Sequence, residues 1–184
     1  MTTKELSTEA ELLHKRLDNP TGMSYLGEFL IMLNKIKNRQ ERVDLLKKYV
    51  TIKPDNIKAI TILAQLLWHP NAIMHLPMGT PPIIDHAYKD YGLAPSSLAR
   101  ELNKVGYYIK GTPTYVQNTV KREQIFMSSM EQLYIEELKL LIDIKDRTLP
   151  AKMKNLTESI FVEAFPQQFP WLVEILAAAK AKKA

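Results

Sequence analysis

Four histidines, His14, His69, His75 and His86, come first, because imidazole serves both as a metal ligand and as a general base near neutral pH. A catalytic zinc site sets two histidines on one helical face with a carboxylate, as in His-Glu-x-x-His. Here His69 and His75 are separated by six positions with Pro70 between them, so no metal site is expected. Cysteine is absent, which removes thiolate ligands, disulfides and a cysteine nucleophile together. Asp85-His86 has the residue types for a general base, yet no nucleophile can be placed beside it. Lys53-Pro54-Asp55-Asn56 approaches the Lys-x-Asp-Gly pattern in which a lysine takes AMP from ATP, but it lacks the glycine. The better reading is a helix start, with Asp55 as cap and Lys53 in solvent. Gly79, Gly92, Gly106 and Gly111 are isolated, so no phosphate-binding loop is expected. Glu136-Glu137 and Asp143 fit the polar side of a helix whose apolar residues are Leu138, Leu141 and Ile142. Met127 and Met130, beside Ile125 and Phe126, fit core filler. The expectation is a non-enzymatic protein with no cofactor and no metal.

Basic residues at helix ends carry the remaining signal. The chain has 25 Lys and Arg against 20 Asp and Glu, a net charge of +5, which permits an anionic partner without demanding one. Lys121-Arg122 falls in the first half of an expected helix. Lys145, Arg147, Lys152 and Lys154 crowd an expected inter-helix turn just before Asn155, with Asp146 the one acid among them, and Lys180, Lys182 and Lys183 close a basic tail. Helix N-termini attract phosphates, and neighbouring cations add a salt-sensitive pull. A solvated basic turn accounts for the same residues equally well.

Hydrophobic spacing and punctuation supply the elements that must hold these residues. With 46% hydrophobic and 24% charged residues, 184 residues suffice for one domain with a sizeable core. No apolar run is long enough to span a membrane, and Met1-Thr-Thr-Lys-Glu-Leu lacks the apolar stretch of a signal peptide, so a cytoplasmic protein is expected. Few glycines and clustered prolines read as helices with firm stops. Helices are expected from Thr8 to Leu17, opened by the capping box Thr8-x-x-Glu11, and from Ser24 to Lys37. A third carries Val43, Leu46, Tyr49 and Val50, and the apolar stretch Ile57 to Trp68 reads as the central core helix. Ser96 or Ser97 caps a short helix to about Val105. Tyr107 to Gly111 is either a short extended piece or the end of that helix. Further helices run from Thr114 to Leu133, Ile135 to Lys145, from the Asn155-x-x-Glu158 start to Pro166, and from Pro170 to about Lys182. Between them, Leu76 to Pro95 is too rich in proline for helix or central strand, and a loop of that length is a candidate binding segment. The reading is an all-α bundle of about eight helices forming a single domain over 1–184, with 1–22 a candidate peripheral helix and 178–184 the basic tail.

Two resemblances bear on function. Tyr107-Tyr-Ile-Lys-Gly, Lys121-Arg-Glu-Gln-Ile-Phe, Glu137-Leu-Lys-Leu-Leu-Ile-Asp-Ile-Lys-Asp-Arg-Thr-Leu-Pro150 and Leu156-Thr-Glu-Ser-Ile-Phe-Val-Glu-Ala-Phe-Pro166, with Leu76-Pro-Met-Gly-Thr-Pro-Pro, resemble an uncharacterised family of small helical proteins of T-even-like phages and cyanophages, over about residues 28–172. The order of elements is also similar to the N-terminal helical DNA-binding domain of T-even-type ATP-dependent DNA ligases. The matching parts are Leu33-Asn-Lys-Ile-Lys, Arg42-x-x-Leu-Leu-Lys, the apolar helix Ile60–Trp68, Glu137–Asp146 and Phe161-Val-Glu-Ala-Phe-Pro166. That domain grips duplex DNA through its backbone, and without adenylation and OB domains binding is implied and ligation is not. The resemblance implies a phage-encoded protein in the infected cell that binds duplex, nicked or branched DNA without sequence specificity through Lys121, Arg122, Lys145, Arg147, Lys152 and Lys154. Three to five neutralised phosphates would give a log–log salt slope of roughly −3 to −4.5. The competing expectation is a protein-interaction module (a phage adaptor, an inhibitor of a host enzyme or a minor virion component) that docks a host or phage protein through the 76–95 loop, with Ile83, Ile84, Tyr88 and Tyr91 as contacts.

Overall fold

The computed structural model describes residues 7–19, 25–81 and 88–181. Among them are ten α-helices and no strand, so the fold is all-α. They are α1 Thr8–Asp18, α2 Leu26–Lys35, α3 Arg39–Ile52, α4 Pro54–Trp68, α5 Leu98–Leu102, α6 Thr119–Met130, α7 Ile135–Lys145, α8 Leu149–Lys152, α9 Glu158–Ala164 and α10 Pro170–Ala181. Two compact units are distinguished: one comprises Met1–Ser24, Glu28–Thr61 and Met153–Ala184, the other Tyr25–Gly27 and Ile62–Lys152.

In the first unit, α3 packs against α1 and α9, and α9 against α10. Ala10, Leu13 and Leu17 of α1 recur at helical spacing and are buried, as are Val43, Leu46 and Tyr49 of α3. Phe29 and Tyr49 stack with ring centroids 4.0 Å apart. The capping box expected at Thr8 does not form. Ser7 is the N-cap residue, and its hydroxyl donates to Glu41 Oε2 at 2.6 Å instead of capping its own helix. Asn38 does cap α3, accepting from the Gln40 and Glu41 N–H groups. Asp55 is not a cap. Pro54 occupies the first position of α4, where its missing N–H costs nothing, and Asp55 lies inside the first turn. Asn155 is likewise not a cap, because its N–H and side-chain amide pair with Asn34, and Thr157 precedes α9.

In the second unit α7 is the organising helix, burying Leu138, Leu140, Leu141, Ile142 and Ile144 and packing against α5 and α8. Glu137, in its first turn, is fully buried. Its carboxylate accepts from the Gly27 N–H at 3.0 Å and the Leu98 N–H at 2.9 Å, which satisfies a first-turn donor of α2 and one of α5. Burial pushes its pKa above the ordinary glutamate value, although those two backbone bonds oppose the shift. A Cβ on Gly27 would lie 2.6 Å from Glu137 Cγ, so only glycine admits this contact. Helix α6 starts at Thr119, not Thr114, because Asn118 caps it and residues 115–118 are not helical. The expected turn before Asn155 contains the additional one-turn helix α8.

Candidate functional site

Lys145, Arg147, Lys152 and Lys154 were expected at the surface; the structure draws Lys145 and Arg147, with Arg122, into internal contacts and leaves Lys152 in a surface ion pair. Arg122 is 6% exposed. Its Nε donates to the His75 carbonyl at 2.6 Å, Nη1 to Val116 O at 2.8 Å and Gln117 O at 3.3 Å, and its guanidinium lies 5.2 Å from the Tyr115 ring centroid. Lys145, also 6% exposed, pairs with Asp146 and donates to the Pro77 carbonyl at 2.6 Å. Both cations point inward because they extend the apolar stripes of their own helices.

Arg147 has a different reason to be where it is. Its φ of +57° is the left-handed conformation that glycine adopts most readily. It ends α7 in a Schellman arrangement, with Thr148 N–H to Asp143 O at 2.9 Å and Arg147 N–H to Ile144 O at 3.1 Å. From that turn its guanidinium donates to the carbonyls of Leu66, His69 and Ala72, closing the C-terminal end of α4. Burial lowers its pKa from the ordinary arginine value. Lys152 remains largely exposed but pairs with Asp143 at 2.5 Å. Lys121 and Lys154 are exposed, and they belong to different units. Lys121 borders a shallow recess with Lys104, Tyr107, Gln124, Ser128 and Gln132, where Lys104 is paired with buried Glu101.

The contacts of Arg122, Lys145 and Asp146 converge on one segment. His75 N–H donates to Tyr108 O at 2.8 Å beside an isolated bridge between Met74 and Ile109. Arg122 then holds the carbonyl of residue 75, Lys145 that of residue 77, and Asp146 Oδ2 accepts the N–H of Gly79 at 3.1 Å. Alternate residues of this strap, residues 73–81, are thus tied down, and Gly79 turns the chain with φ +92°. Met78, 76% exposed, and Ile73, 48%, stand outward from it beside the exposed His75 and Thr80. Met127, expected in the core, is 38% exposed on α6, whereas Met130 is buried as expected. Between strap and α6 lies a notch of about 150 Å³ lined by Leu76, Pro77, Pro81, Phe126 and Met127.

Of the residues expected to carry a protein interface, Ile83 and Ile84 lie outside the described residues, as does Asp85-His86. Tyr88 is half-buried, and its backbone exchanges hydrogen bonds with Leu133 and Ile135. Tyr91 begins a one-turn 3-10 helix, Tyr91–Leu93. Exposed apolar side chains lie instead at Ile73 and Met78 upstream of them and at Met127 downstream. Met78 falls in the loop that proline content singled out, while Ile73, Met127 and the neighbouring Glu123 were missed. Among the described residues no three His, Asp or Glu side chains are grouped to hold a metal, and no helix is long and apolar enough to cross a membrane.

No curated protein and no solved structure matches the chain. A family does match, over residues 29–151, and this span contains the strap, the notch and the three inward-pointing cations. With about two thirds of its length inside that match, the chain belongs to DUF6433, a family of unknown function.

Proposed function

We propose that the protein is a non-enzymatic interaction module that docks a partner protein on the apolar surface formed by Ile73, Met78 and Met127 around the notch. One observation carries this reading: Arg122, Lys145 and Asp146 use their charges to hold the carbonyls of His75 and Pro77 and the N–H of Gly79 in a proline-containing strap from which Ile73 and Met78 stand exposed. Methionine suits such a surface because it is flexible and polarisable. The resemblance of Tyr107–Gly111, Glu137–Pro150 and Leu156–Pro166 to small phage proteins supports a phage-encoded protein working in the cytoplasm of an infected bacterium, with a host or phage protein as partner.

The test is affinity capture from such cells with nuclease present, using the wild type, Met78→Asp and Met127→Asp. A stoichiometric protein partner that survives nuclease and is lost from both variants, while their unfolding midpoints match the wild type, supports the reading. Loss of every captured protein on adding nuclease, with nucleic acid alone recovered when nuclease is omitted, refutes it.

Duplex-DNA binding is the second reading, favoured by Lys121 and Lys154, both exposed and without a carboxylate partner among the described residues. One such contact in either unit gives a log–log salt slope of about −0.9, well short of the −3 expected of three phosphates. A steeper slope would restore DNA as the leading function.

A further inference from the structure

The charge around the notch says what kind of segment fits it, and this inference rests on the protein-docking reading above. Three charged residues line the notch or a second hollow that shares Leu76, Pro77 and Met78 with it and is completed by Ile73, His75 and Thr119: Arg122, Glu123 and Lys145. The two cations are engaged internally, Arg122 by main-chain carbonyls and Lys145 by Asp146 and Pro77. Glu123 is half-buried, lines both hollows, and has no hydrogen bond or ion pair among the described residues. Glu123 is therefore the charged side chain at the notch left free to meet a cation from outside, on a chain whose net charge is +5. About 150 Å³ is room for a single large side chain and too little for two. Leu76, Pro77, Phe126 and Met127 make its walls apolar.

We propose that the notch receives one leucine, methionine or phenylalanine of a partner segment, with a lysine or arginine within one or two residues of that anchor meeting Glu123. The apolar anchor supplies most of the affinity, and the ion pair at the half-buried rim supplies selectivity.

A randomised 12-residue peptide library selected against the wild type and against Glu123→Lys tests the assignment, with Met127→Asp as counter-selection. Peptides enriched on the wild type should combine one large apolar residue with an adjacent basic residue, and the Glu123→Lys selection should lose or invert that charge preference. In fluorescence-anisotropy titrations of the best labelled peptide, anchor→Ala should weaken binding about 10- to 100-fold. Its neighbouring Lys→Glu replacement should weaken binding about three-fold, a loss that Glu123→Lys restores. Glu123 makes no internal bond, so the variant should unfold at the wild-type midpoint. Anchors enriched without a charge preference that follows residue 123 overturn this inference and leave the docking reading intact. Peptides indifferent to Met127→Asp overturn both. Binding that strengthens when Ile83 and Ile84 are both changed to Ser assigns the notch to the chain's own next segment and also overturns the proposal.

Discussion

Replacing Lys145 by Ala separates the scaffold role of the basic cluster from a phosphate-binding role. The lysine side chain is 2% exposed and Asp146 10%, so removing the ammonium leaves a nearly buried carboxylate uncompensated and the Pro77 carbonyl without its donor. Breaking a buried pair on one side costs about 3–5 kcal/mol. Asp146 keeps the Gly79 N–H, which favours the lower end, about 3 kcal/mol. For a chain of this size that is a fall in Tm of about 6–12 °C. The double variant Lys145→Met, Asp146→Asn fills the same space, keeps an acceptor for Gly79 and removes both charges, so it should recover all but about 1.5 kcal/mol. Lys152→Ala is the control: that side chain is 61% exposed, and its loss should stay within about 1 kcal/mol. The assay is urea unfolding followed by circular dichroism, paired with DNA titrations at several salt concentrations. An unchanged midpoint for Lys145→Ala, together with a salt slope shallower by about 0.9, would mean that Lys145 holds a phosphate and would refute the scaffold argument.

Two further outcomes follow from the same contacts. Arg147→Gly relieves a left-handed residue, worth about 1–2 kcal/mol, but removes a charged donor from the end of α4, where each such bond is worth about 1.5–3 kcal/mol. Net destabilisation of about 1–3 kcal/mol is expected by chemical denaturation, and a stabilised variant would show the guanidinium contacts to be idle. Glu137 has a folded-state pKa above its unfolded value, so its contribution to stability is greatest below the unfolded pKa, near 4.5, and declines as pH rises through the folded pKa. Glu137→Gln cannot titrate, and its NH2 must face one of the two backbone donors. The wild type should exceed it in stability at acid pH, and the gap should narrow on raising the pH above about 4.5. A gap that widens with pH would reverse the assigned direction of the shift.

Periodic apolar residues made the long helices legible. The bounds of α7, Ile135–Lys145, and the start of α10 at Pro170 follow from spacing and proline alone. Spacing was less use where hydrogen bonds decide. Thr114 to Gln117 carries no helix breaker, yet Arg122 draws the carbonyls of Val116 and Gln117 out of helical pairing and the helix waits for Asn118. One turn of Leu-Pro-Ala-Lys has no period to read, so α8 was invisible. Ser7 forgoes its cap for Glu41, a residue 34 positions away, and no local pattern announces that.

The inward direction of the cations, by contrast, was available in the sequence. Lys145 follows Leu138 and Leu141 at seven and four residues, and Arg122 precedes Phe126 and Met130 at four and eight, so each continues the buried stripe of its helix. A cation on a core-facing stripe must find carbonyls or a carboxylate, since an unpaired buried charge costs several kcal/mol. The proline-containing strap, whose turns leave carbonyls without partners in a helix or sheet, offers what Arg122 and Lys145 need. Net charge counts such residues with the exposed ones, and it therefore overstates what the surface offers a polyanion. The same pinning leaves Met78 outward, so the features that first suggested phosphate binding become the physical reason for an exposed apolar surface.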